Sequence, residues 1–295
     1  MPVSDRGVAI TIERPEPAEL VAAADALAGW QQDGLPMQLH PGDLGWFGRF
    51  GAAATAAAVR TWSRDGRIVA LGLLDGADLV RMTIAPDLRS DEELAARLVA
   101  DLGDPAAGVL PAGSVSVEAP MDALLQDALL AAGWLADEEW TPLRRDLGAP
   151  VEVPDLRVEV VGAELIDARV EVHRGAFTRS TLTAAAWQAM AAAPLYADAR
   201  CLVGFDERGT AVAGITVWSA GAGRPGLIEP MGVHRDHRRH GYGRAICAAG
   251  ALELRRMGAS SVVVATPSAN VGGIAAYRSA GFAPFGASRD LRRPA

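Results

Sequence analysis

The chain repeats itself. GRIVALGLL, from Gly66 to Leu74, and GTAVAGITV, from Gly209 to Val217, each place a turn glycine before an apolar strand that runs through Ala70 or Ala213. AAGW (Ala131 to Trp134) returns as SAGF (Ser279 to Phe282), and RRDL (Arg144 to Leu147) returns as SRDL (Ser288 to Leu291). The three pairs keep their order at offsets of 143 to 148 residues, constant within small loop insertions. A period this long is one domain laid down twice, and it divides 295 residues into two halves of ordinary domain size. The joint is GAPVEVPD, whose prolines and glycine suit an extended linker. The expected organisation is therefore a first domain over residues 1–147, a linker over 148–155 and a second domain over 156–295.

In the second copy the periodicity predicts a strand at Leu156–Val161 and helices over Ala163–Phe177 and Thr183–Ala193. A hairpin follows, Cys201–Phe205 and Ala211–Trp218 around the turn Asp206–Gly209. Next come a strand at Leu227–Val233, a helix over about 241–257, a strand at Ser261–Thr266, a helix over about 270–280 and a last strand after Gly281. The fold class is α/β in the α+β sense: two tandem copies, each a mostly antiparallel mixed sheet flanked by helices.

Charge narrows the partners. The net charge is -8, so the overall field repels phosphate backbones and anionic lipid surfaces, and neither nucleic acid nor membrane is an expected partner. An anion must find a local positive patch. All 28 basic residues are arginine. Cys201 and Cys247 stand far apart without metal-like spacing, which fits structural thiols in a reduced cytoplasmic chain. The N-terminal MPVSDRGVAITIERPEP has charges and prolines where a signal peptide needs an apolar core. The expectation is a soluble cytoplasmic protein, monomeric or homodimeric.

The local patch is GVHRDHRRHGYGRAI, Gly232 to Ile246, where an apolar strand runs into an arginine cluster, two glycines and a helix. A helix N-terminus presents unpaired N–H groups and positive potential to an anion. Gly241 and Gly243 permit close backbone approach to a pyrophosphate. Arg235, Arg238, Arg239 and Arg244 offer charge-assisted bonds to it. A dinucleotide fingerprint would need a third glycine where Ile246 stands. A P-loop would need a lysine, and the chain has none. His234, His237 and His240 suggest a metal comb, but the glycines after them indicate a turn, and no metal is expected.

Arg238-x-x-Gly241-x-Gly243 after a strand ending at Val233 resembles the Q/R-x-x-G-x-G/A signature of the GNAT superfamily of acyl-CoA-dependent N-acyltransferases. Asn270, Tyr277, Gly281 and Phe282 fall at the spacing of that superfamily's N-x(6)-Y-x(3)-G-F block. The resemblance covers about 156–293, and two tandem copies resemble the mycothiol synthase type of architecture. Arg235 stands where a proline is common, and Gly273 where alanine is usual.

The resemblance implies an N-acetyltransferase that moves an acetyl group from acetyl-CoA to a primary amine by direct attack in a ternary complex. The acceptor is then a small-molecule or peptide amine. Glu229 is the implied base, acting directly or through water, with burial raising its pKa from about 4.3 towards 6 to 7. Tyr277 is the implied acid for the leaving thiolate. The implied coenzyme contacts are Met231, Gly232, Val233, Arg238, Arg239, His240, Gly241, Tyr242, Gly243, Arg244, Asn270 and Tyr277; Asn270 reads equally as an ordinary N-cap. Tyr196, Trp187, Phe177 and Trp218 fall in the region of the acceptor cleft, with core packing the simpler reading for most of them. In the first copy, Glu92 and Leu94 stand under Gly241 and Gly243, and Leu124 to Leu130 holds no tyrosine. Its coenzyme site is expected to be degenerate, leaving a scaffold that helps shape the acceptor cleft. The alternative is a non-catalytic acyl-CoA-binding or regulatory module with the same fold.

Overall fold

A computed structural model describes residues 9–295; the first eight residues of the N-terminal stretch discussed above lie outside it. The first half runs β1 (Thr11–Glu13), α1 (Leu20–Trp30), α2 (Pro41–Phe47), α3 (Ala52–Ala58), β2 (Val59–Arg64), β3 (Arg67–Leu74), β4 (Leu79–Ile84), α4 (Glu92–Gly103), β5 (Val115–Glu118), α5 (Leu124–Ala131) and β6 (Leu135–Asp146). The second runs β7 (Arg157–Val160), α6 (Ile166–Ala176), α7 (Ala184–Ala191), β8 (Ala199–Phe205), β9 (Ala211–Trp218), β10 (Gly226–Val233), α8 (Tyr242–Arg256), β11 (Ser261–Pro267), α9 (Val271–Ser279), β12 (Ala283–Pro284) and β13 (Ser288–Arg293). Residues 147–156 between them hold no helix or strand.

The repeat is visible in strand register. Ala70 faces Ile84 and Gly72 faces Met82 in the β3–β4 pair, as Ala213 faces Val233 and Ile215 faces Met231 in the β9–β10 pair. The two hairpins depart from one another at one point. From Val217–Ile228 to Ile215–Met231, β10 uses one residue more than β9, whereas β4 advances evenly against β3 from Leu74–Val80 to Gly72–Met82. This extra residue is a β-bulge, a device that bends a strand and re-aims its side chains. It contains Glu229 and Pro230, and proline fits a position with no ladder bond to donate.

The halves share a single mixed sheet, flanked by helices, in the order β1-β2-β3-β4-β5-β13-β6-β11-β10-β9-β8-β7. The closing strands are exchanged. β13 pairs with β5 of the first half, while β6 pairs with β11 of the second, from Ser261–Asp146 to Pro267–Trp140. β6 and β13 also pair with each other, Trp140 opposite Ser288. In the second half, α8 and α9 cover one face through Ile215, Val217, Ile246, Leu254 and Tyr277. α6 and α7 cover the other through Val170, Met190, Val203 and Trp218. Full burial of each such large apolar side chain contributes about 1.5 to 3 kcal/mol. Both cysteines are fully buried and unpaired within these layers.

Candidate active site

The opening in the sheet starts from hydrogen bonding. β10 runs parallel to β11 only at Gly226–Val262 and Leu227–Val263, and beyond Leu227 it continues on β9 alone. The N–H of His234 donates to Val212 O at 2.9 Å. Antiparallel strands alternate the direction of their N–H groups, so Gly232 also turns its N–H to β9, while Met231 and Val233 turn theirs into the wedge beside β11. Of the three predicted backbone contacts, two therefore face the opening.

Glu229 lies in the bulge at this opening. Its backbone carbonyl accepts from Trp218 Nε1 at 2.7 Å. Its carboxylate is half-buried and, among the described residues, forms no ion pair. Loss of water, then the nearby Asp43 carboxylate, push its pKa up to about 7, against the opposing pull of Arg81. Across the wedge, Tyr277 on α9 is 6% exposed and meets Phe282 edge-on at 5.7 Å between ring centroids. Burial above all, then the neighbouring Cys247 and Glu229, hold its phenol well above the ordinary range.

Beyond Val233 the chain turns through Arg235–His237 into α8. Gly241 is the N-cap in the left-handed region (φ +82°), and no side chain caps the helix. The first-turn N–H groups of a 15-residue helix thus keep their acceptor positions open. A Cβ on Gly243 would stand 3.2 Å from Ala276 Cβ, so only a residue this small lets α8 and α9 close up under the turn. The arginines divide. Arg235 and Arg238 tie the turn to the end of α6, Arg235 Nε to Gly175 O at 2.9 Å and Arg238 Nη2 to Ala176 O at 3.0 Å. Arg244 reaches Glu152 at 2.9 Å, both side chains well exposed, and Arg239 is exposed at φ +68°. His240 stacks on Tyr242 at 5.8 Å. Asn270 caps α9, accepting from Gly273 N–H at 3.1 Å and donating to Thr266 Oγ1 at 2.8 Å. Among the described residues no cluster of three histidine, cysteine or carboxylate side chains has metal-holding geometry.

Four aromatic positions read as acceptor-side candidates separate. Trp187 and Trp218 are buried, and Tyr196 meets both rings edge-on. Phe177 alone is exposed, at 39%. Sequence reading missed the most intimate neighbour of the site, which comes from the first half. Helix α2 lies flat on Trp218, where a Cβ on Gly42 or Gly45 would come within 2.4 or 2.2 Å of the indole. Between those glycines Asp43 accepts from Arg81 Nη1 at 2.7 Å and from its own N-cap, His40 N–H, at 2.7 Å. Arg81 Nε donates to Glu118 at 2.7 Å, and His40 Nε2 meets Pro225 O at 3.1 Å. The Gly-x-x-Gly spacing of PGDLGWF was the available signal, a glycine stripe one helical turn apart.

Residues 162–282 match the acetyltransferase (GNAT) family. No curated protein matches the chain. Solved structures of similar fold include a GCN5-related N-acetyltransferase from Sphaerobacter thermophilus, 19% identical, with 99% of this chain and 96% of that chain covered at a TM-score of 0.59. A tandem GNAT protein from the clavulanic acid biosynthesis pathway is 17% identical, with 97% and 98% covered at 0.59. The N-myristoyltransferase of Saccharomyces cerevisiae is 10% identical, with 98% and 80% covered at 0.57. Over residues 162–282 the chain is thus similar to the GNAT acetyltransferase family, and its whole-length fold is shared with a tandem GNAT protein of solved structure.

Proposed function

We propose that the second half transfers an acetyl group from acetyl-CoA to a primary amine held in the same complex, and that the first half carries no coenzyme. The observation that carries this reading is the wedge, with two strand N–H groups turned into it between Glu229 and Tyr277. The uncapped end of α8 and the Cβ-free surface at Gly241 and Gly243 fit a pyrophosphate, with Arg239, Arg244 and the turn N–H groups as its holders. When bound, acetyl-CoA supplies the activated acyl carbonyl.

This chain's own groups do the rest. Glu229 Oε, with its pKa near 7, takes a proton from the acceptor ammonium at neutral pH, directly or through one water. The N–H groups of Met231 and Val233 are fixed by the ladder to β9, so they stabilise developing negative charge on oxygen without rearranging. Tyr277 Oη, kept protonated by burial, meets the departing sulfur with a proton.

The test is release of free coenzyme thiol from acetyl-CoA by the full chain across a broad amine panel. Amine-dependent release, lowered by about 10² to 10⁴ in Glu229→Gln, is expected. Tight acetyl-CoA binding with no release from any amine would instead establish the binding module.

A further inference from the structure

Two half-buried charges of opposite sign, Arg49 beside α2 and Glu229 in β10, make no ion pair among the described residues. Arg49 sits in the turn Gly48–Phe50 that ends α2, and that turn is anchored against the end of α7, where a Cβ on Gly48 would stand 3.9 Å from Met190 Cα and 3.7 Å from Ala193 just beyond the helix. Its guanidinium carbon lies 4.5 Å from the Trp46 ring, 4.3 Å from Phe50 and 5.7 Å from Phe47. Stacking of this kind occupies the faces of a planar guanidinium and leaves N–H donors on its edge. One of those, Nη1, bonds its own turn at Trp46 O, 2.8 Å away. Among the described residues no carboxylate pairs with it, although it is half-buried.

Glu229 is its counterpart. It too is half-buried without an ion-pair partner, and geometry joins the two sides: α2 lies on Trp218, which donates to the Glu229 carbonyl at 2.7 Å, and a Cβ on Gly232, three residues along the same strand, would stand 3.0 Å from Phe177. The remaining charges nearby do not fill either role. Asp43 is matched by Arg81, which also holds Glu118. Asp75, exposed on the β3–β4 turn, faces both Arg49 and Glu229 and makes no ion pair with Arg49. Arg169 is a second cation without a carboxylate, but it is 1% exposed and pressed against Gly214. Between Arg49 and the second half runs an apolar wall: Trp46 is 5.6 Å from His173, and His173 is 4.7 Å from the exposed Phe177. Burial pushes His173 down to about 3, so at neutral pH it adds no charge to that wall.

We infer that the acceptor is a zwitterion, an α-amino acid with an apolar side chain, whose ammonium faces Glu229, whose carboxylate takes the free edge of Arg49, and whose side chain lies along Trp46, His173 and Phe177. This rests on the acyl-transfer reading for its consequence but on the paired empty charges for its chemistry. It makes the first half a specificity element rather than a scaffold, and Arg49 the residue that selects the substrate.

The experiment compares the protein amino acids with their carboxamides, which keep the amine and lose the anion. Thiol release from acetyl-CoA and calorimetric binding are both measured on the full chain. Wild type is expected to favour at least one apolar amino acid over its amide by about 10- to 100-fold in KM or Kd, the scale of a charge-assisted pair. Arg49→Gln should collapse that ratio by weakening the acid far more than the amide, and Arg49→Lys should restore part of it. Equal handling of acids and amides throughout, or an Arg49→Gln loss equal for both, overturns the inference and leaves acyl transfer standing. No thiol release, with acids still bound over amides through Arg49, overturns acyl transfer and leaves the inference standing. A panel in which neither acids nor amides bind overturns the inference.

Discussion

The loop before α4 and the loop before α8 occupy the same place in the two copies and are built for opposite ends. At α8 the cap is Gly241, which offers no side chain. At α4 the cap is Asp91, whose carboxylate accepts from Leu94 N–H at 2.8 Å and pairs with Arg64 at 2.6 Å. The first copy has filled its anion position with its own carboxylate. Its loop arginine, Arg89, is turned inward to Asp122 and to Gln38 Oε1 at 2.5 Å, while Arg239 and Arg244 of the second copy stay outside. Leu94, where the second copy has Gly243, is fully buried, as is Leu129, which stands in place of Tyr277. The lesson is that one loop plan can be closed from within the chain: in the first copy the cap Asp91 and the loop arginine Arg89 have partners and Leu94 is buried, where the second copy leaves its cap bare. The same holds for the strands, since β4 lacks the extra residue that frees Glu229 in β10.

The sharpest way to break this comparison is through Glu229. Glu229→Gln should lower kcat/KM by about 10² to 10⁴, and wild-type kcat/KM should rise with pH to a plateau above about 7, as the carboxyl loses its proton. An unmoved acid limb in the variant removes Glu229 as the base. The stability consequence has a definite sign. A carboxyl whose folded pKa exceeds its unfolded value costs stability as pH rises from about 4.5 to about 7. The variant should therefore match wild type in acid and exceed it at pH 8 in denaturant titrations.

Next in size, acetyl-CoA at a hundredfold excess over Kd should stabilise the chain by about 2.7 kcal/mol. Gly243→Leu should abolish that gain in thermal melts, because its side chain enters the space held by Ala276. Tyr277→Phe should reduce kcat about tenfold, or about 1.4 kcal/mol, with little change in coenzyme Kd; full turnover in that variant would strike Tyr277 from the mechanism. The smallest effect tests the first copy. Asp91→Ala should cost about 1 kcal/mol of stability, as an ordinary lost cap does, and leave the acetyl-CoA shift intact. A second coenzyme site appearing in that variant would show that the carboxylate alone closes the first copy.

Much of the second half was legible because its signals are local. Alternation set β9 at the predicted residues, Ala211–Trp218, and the turn glycines with the arginine cluster located the end of β10 and the start of α8. The contrast between the two loops was legible too, since Glu92 and Leu94 stand in the first copy where the second has Gly241 and Gly243. The exchange of β6 and β13 was not, because RRDL and SRDL announce similar strands without saying whose edge each will join. Strand pairing depends on which edges remain open after collapse, and that is a property of both halves together. Helix α2 was missed for the same reason. Gly42 and Gly45 acquire meaning only once Trp218 lies beneath them. Arg49 looked like one of many arginines until its lack of a carboxylate could be seen.

The crossed ending of the two halves bears on the order in which the molecule comes into being. β5 waits for β13, which leaves the ribosome some 170 residues later, and β6 must hold an open edge until β11 arrives. Neither half can finish its sheet during its own synthesis. A nascent first half is an incomplete sheet with an exposed strand edge, a surface prone to pairing with other chains. The two halves therefore reach their final form together.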